Sequence, residues 1–126
     1  MSIAPTSLSD TLPSSIPKLD ASGLNWAIFA VRFQDAVEAK GYWGHFSGVI
    51  VRPAAAEKPA LTAEELALAQ KQWDKDELSA KSLLTQKMPD LTLMHIHTKK
   101  TVRECWEAIV TEYTEKGAYA QTDLHA

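Results

Sequence analysis

His95 and His97, with Cys105 downstream, carry the ligand types of a zinc site, imidazole and thiolate. Residues two apart on a helix point about 200° away from each other, so the two imidazoles cannot turn to one metal. They read instead as histidines near a helix end, where they interact favourably with the dipole. Cys105 near a histidine and an acid also has the types of a nucleophilic site. It falls inside an apolar helical stripe beside Trp106, however, and a thiol among apolar groups is inert. Glu64, Glu65, Asp74, Asp76 and Glu77 crowd one stretch, as paired acid and base groups would. They alternate with lysines at helical spacing, and the expectation is a solvated face on which Asp74 pairs with Lys71 and Glu77 with Lys81. No Gly-rich phosphate loop, G-x-S-x-G elbow or H-E-x-x-H helix occurs. The sequence therefore predicts no catalytic residues, no metal, no cofactor and no enzyme.

The elements that hold these residues follow from period and capping. Trp26, Phe29, Ala30, Phe33 and Val37 recur at helical spacing from Asn25, with Ser22 or Asn25 as N-cap and Gly41 as the left-handed stop. Residues 42–52 mix aromatics, glycines and a β-branched run, which predicts a loop with a short strand at 49–51. A Pro- and Ala-rich link at 53–60 separates the two helical units. Thr62 and Glu65 form a capping box, with Leu61 and Leu66 at the positions of a hydrophobic staple, and open a helix that runs to Met88 before Pro89. Its buried stripe is Leu66, Ala69, Trp73, Ala80, Leu83, Leu84 and Met88. Asp90 caps a short helix that carries Leu91, Met94 and His95. Thr101 and Glu104 open a further helix striped by Val102, Cys105, Trp106, Ile109, Val110 and Tyr113, which Gly117 ends, and the last residues begin another. Trp26, Phe29, Phe33, Trp73, Leu84, Trp106, Ile109 and Tyr113 are the expected core anchors. Trp43 and Phe46, in the Gly-flanked loop, are candidates for a groove or loop contact.

All of this fits one all-α domain, a single compact bundle of four to five helices over residues 18–126, behind a flexible arm at residues 1–17 punctuated by Pro5, Pro13 and Pro17. At 126 residues, with 45% hydrophobic and 23% charged residues, the chain can bury a real core and does not hold two full domains. The net charge of −3 excludes the basic footprint of a nucleic-acid binder. One cysteine excludes a disulfide framework and points to a reducing compartment. No stretch approaches the roughly 20 apolar residues that span a bilayer, and the start lacks a secretory signal, so a cytoplasmic protein without membrane contacts is expected.

The order of anchors is more specific than any one of them. Asn25 and Trp26, then Gly41, Trp43 and Gly48, then Trp73, Glu77 and Ala80, then Thr101, Glu104, Trp106, Ile109 and Tyr113 stand in sequence. This series resembles the Gag polyprotein of copia-type LTR retrotransposons, with Phe29 where that family usually has Trp and Glu77 where it has Asp. The resemblance spans residues 18–126 and implies a capsid-like N-terminal domain, the helical unit from which retroelement Gag builds virus-like particles around its RNA. It further implies weak homotypic contacts and, since no second helical domain or zinc knuckle is found here, RNA binding by sequence beyond this chain. An ending inside an incipient helix suggests a C-terminally truncated fragment. The competing expectation is a domesticated Gag-derived module that reads peptide segments of partner proteins in a groove between the first helix and the Trp43 loop.

Overall fold

Phe29, Phe33 and Val37 recur every four residues and lie fully buried, which fixes the inward face of helix α1, Trp26–Lys40. The computed structural model describes residues 11–125, with side chains through residue 118, and contains five helices. After α1 come α2, Trp43–Ser47; α3, Ala63–Thr85; α4, Asp90–Ile96; and α5, Val102–His125. Helix α5 is the hub, packing against each of the other four. Its inward residues Val102, Cys105, Trp106, Ile109 and Tyr113 form the spine of the core.

The helix ends follow local chemistry. Gly41 adopts a φ of 83°, and its N–H donates to Glu38 O while the N–H of Tyr42 donates to Val37 O, the paired bonds of a Schellman stop. At α3, Thr62 N–H donates to Glu65 Oε1 at 2.8 Å and Glu65 N–H to Thr62 Oγ1 at 3.1 Å, so both halves of the box form. Asn25 occupies the N-cap position of α1 without capping it. Its side chain instead accepts from Asp20 N–H and donates to Lys18 O, both at 2.9 Å, closing the loop that leads into the helix.

The structure departs from the sequence expectations in several places. Residues 49–51 form no strand; among the described residues there is none, and this run has no partner strand to pair with. The residues just before it instead make α2. Helix α3 stops at Thr85, short of Met88. Pro89 rather than Asp90 holds the N-cap position of α4, and the inward residues there are Thr92 and Ile96, while Leu91, Met94 and His95 face outward. Thr92 is turned in by a 2.6 Å hydrogen bond shared with the buried Tyr113 hydroxyl. Gly117 does not end α5, which runs on to His125 and absorbs the separate helix expected after it. A Cβ at Gly117 would sit 3.4 Å from Gly23 O, and one at Gly23, where φ is +82°, would meet Lys116 Cβ at 2.7 Å. The two glycines thus mark a close backbone crossing.

The expected arm falls partly outside the described residues. Within them, Leu12 and Ile16 are buried, Leu12 N–H donates to Gln86 Oε1 at 2.9 Å and Arg32 donates to Ser15 O at 2.9 Å. Within the described residues, packing is thus present from Leu12, inside the span expected to be a flexible arm, and the end of α3 offers an acceptor there.

Candidate functional site

Trp73, Glu77, Ala80 and Leu84 stand at i, i+4, i+7 and i+11 of α3, so the helical period turns Glu77 toward the other helices. Its Oε1 accepts from His45 Nδ1 at 2.8 Å, and its Oε2 accepts from the Val102 N–H at 2.7 Å. One carboxylate therefore joins α2 to α3 and caps the first turn of α5, whose free N–H groups favour an anion. The side chains of the pair are only 3% and 12% exposed. Trp73 lies over the His45 ring at 5.1 Å and donates through Nε1 to Ile50 O at 3.2 Å, pinning the loop after α2. Beside it Arg52 grips Asp74 with two bonds of 2.9 and 3.2 Å, which holds the Asp74 carboxyl below its ordinary range and raises the guanidinium.

These contacts correct the reading of the acidic stretch. Asp74 pairs with Arg52 rather than Lys71, and Glu77 serves His45 and Val102 rather than Lys81. The cue lay in the same period that identified Leu84. A groove of about 330 Å³ opens beside the pair, between Trp73, Arg52, Thr101 and Arg103. Both oxygens of Glu77 are already committed to the scaffold, and the Thr101 hydroxyl accepts from Glu104 N–H as a helix cap. The histidine and carboxylate here act as a latch, with no nucleophile presented to them.

The zinc-type residues separate. His95 and His97 are exposed and line different grooves, while Cys105 is buried with its thiol donating to Ile96 O at 3.4 Å. Burial pushes the Cys105 thiol up from its ordinary value. Among the described residues no group of three or more His, Cys, Asp or Glu converges for a metal.

Of the expected anchors, Phe29, Phe33, Leu84, Ile109 and Tyr113 are fully buried, Trp106 nearly so, and Trp26 packs against the same cluster from its edge. Trp106 is the hub of the rings: its centroid lies 5.3 Å from Phe33, 5.7 Å from Trp26 and Trp43, and 6.0 Å from Phe46. Trp73 is the exception, since it covers His45 outside this cluster. The two loop aromatics are placed differently from each other. Phe46 is buried in the core, while Trp43 is half-buried and stacks on it at 5.5 Å.

Outward apolar side chains complete the inventory. Leu24 lies just before α1, Ile28 and Val31 on its solvent side, Val49, Ile50 and Val51 after α2, Leu61 before α3, Leu68 and Leu78 on α3, and Leu91 and Met94 on α4. Residues 34–125 match the family described as gag-polypeptide of LTR copia-type. The chain belongs to that family. No curated protein and no solved structure matches it. In this copia-type gag chain the positions that carry the family likeness are consumed internally. Gly41 stops α1, Glu77 latches three helices, Thr101 caps α5 and Trp106 centres the core. Gag chains of this type are structural rather than enzymatic. Among the described residues no helix is long and apolar enough to cross a membrane.

Proposed function

We propose that this chain is a capsid-like unit of a copia-type retrotransposon Gag that meets copies of itself through weak helix-face contacts. Repetition of those contacts would build a cytoplasmic particle around element RNA. The observation that carries the reading is the set of large apolar side chains left outward on α1, α3 and α4 of a chain from a structural family. With a net charge of −3, the RNA contact belongs to sequence outside this chain. Sedimentation velocity over a concentration series tests the self-association. A largely monomeric or weakly dimeric species at micromolar concentration is expected, with larger species as concentration rises. A parallel RNA titration at about 0.15 M salt should show no tight, salt-sensitive binding. A chain that stays strictly monomeric, alone and within a longer Gag, would favour the peptide-reading alternative.

A further inference from the structure

The outward residues of α1 and those of α3 and α4 are chemically different. On α1, Ile28 and Val31 are 48% and 58% exposed, and Asp35 continues their stripe at i+7 from Ile28. That surface is an apolar ridge ending in Asp35, flanked by Arg32, whose guanidinium donates to Ser15 O at 2.9 Å. Between α3 and α4 lies a shallow groove of about 590 Å³ floored by Leu78, Leu93 and Met94. Leu78 and Met94 are 71% and 73% exposed, and the ionisable groups lining the groove are Lys81 and His97, with no carboxylate. The ridge and the groove share no residue.

We propose that the α1 ridge of one copy docks in the α3–α4 groove of a second copy, with Asp35 set against Lys81. This deepens the self-association reading above and rests on it. Charge selects the occupant: a basic groove in an acidic chain disfavours another copy's groove and favours an apolar segment with a carboxylate at its end, which α1 presents. The two patches differ, so one copy gives its ridge while it receives another's. The contact is heterologous and continues from copy to copy until a ring closes or a lattice extends. A single helix stripe on a shallow groove falls below the roughly 1,200 Å² of a stable pair, so each contact is weak and the assembly depends on their number.

The test uses the whole chain in sedimentation velocity, with circular dichroism to verify folding. Ile28→Asp and Leu78→Asp should each weaken association at least tenfold. Asp35→Lys and Lys81→Glu should each weaken it alone, and an equal mixture of the two should restore it, because every ridge then finds a groove of opposite charge. Unfolded variants cannot give that rescue. Loss with Ile28→Asp but not Leu78→Asp would indicate a ridge-to-ridge contact and overturn the proposal, as would a mixture that fails to recover. If deleting residues 2–10 abolishes association as fully, the groove belongs to that segment instead and the proposal falls. Association as strong in all four variants as in the parent protein refutes this docking alone, whereas parent protein that never associates refutes the self-association reading itself.

Discussion

Removing the Glu77 carboxylate should unlatch three helices at once, and the size of the effect follows from its two bonds. In Glu77→Ala the His45 Nδ1, on a side chain 3% exposed, loses its 2.8 Å acceptor with little water to replace it. A polar group stranded in this way costs about 1–3 kcal/mol, and we take about 2. The Val102 N–H loses a 2.7 Å acceptor as well; its chain neighbours Thr101 and Arg103 line the 330 Å³ groove that the removed side chain would open further, so we take the lower end, about 1 kcal/mol. The expected total of about 3 kcal/mol is a large share of the stability of a small domain. Glu77→Gln keeps an acceptor for Val102 and presents an amide that can donate to the other imidazole tautomer, so it should cost about 1 kcal/mol. Urea unfolding followed by tryptophan fluorescence measures both, with Glu115→Ala on the exposed face of α5 as a control expected within about 0.5 kcal/mol of the parent. If Glu77→Ala falls as close to the parent as that control, the latch contributes nothing and the argument fails.

Three further outcomes are expected. Trp106→Ala removes the ring on which Trp26, Phe33, Trp43 and Phe46 converge and should cost about 3–5 kcal/mol, read as lost cooperative melting by circular dichroism. Gly41→Ala has open space around the new Cβ and should cost about 1 kcal/mol of left-handed strain, whereas Gly23→Ala adds a 2.7 Å approach to Lys116 Cβ and should cost about 2 kcal/mol or more; equal urea midpoints would contradict the crossing. The Glu65 carboxyl lies below its ordinary value of 4.5 because the Thr62 N–H donates to it. Its stabilising contribution is complete above that ordinary value and fades as pH falls through the lowered one, so Glu65→Gln should flatten that part of the acid unfolding curve.

What could be read from the sequence depended on whether a signal was local. The Thr62 box and the Gly41 stop are contained within a few residues, and both form as their spacing dictates. The long stripes of α1 and α5 were legible because several turns repeat one phase. Helix α4 is only seven residues, and Leu91, Leu93, Met94 and Ile96 surround it with apolar groups. Its phase is set from outside, by the Tyr113 hydroxyl that draws Thr92 inward. Gly117 shows the same limit, since a glycine inside a helix and one after it look alike until Gly23 is seen against it. The latch was hidden for a different reason. Period placed Glu77 on the buried face and charge suggested water, and only the nearness of His45 and Val102 decides in favour of period.

Holding the fold and meeting another copy therefore fall to different residues. Every family-like position discussed above is engaged within the chain, while Ile28, Val31, Leu78 and Met94 face outward and support none of the hydrogen bonds that join the helices. Substitutions at such exposed positions change stability by about 0.5 kcal/mol or less. A shell repeats each contact many times, so the same substitutions are multiplied in assembly. Ile28→Asp and Leu78→Asp should thus leave the urea midpoint at the parent value while association weakens, and Glu77→Ala should lower the midpoint even in dilute, monomeric protein. Measuring both quantities on all three variants at one protein concentration gives the decisive comparison. Outward-face variants that lose stability in step with association would mean that these side chains hold the helices together, and the division between scaffold and surface would have to be abandoned.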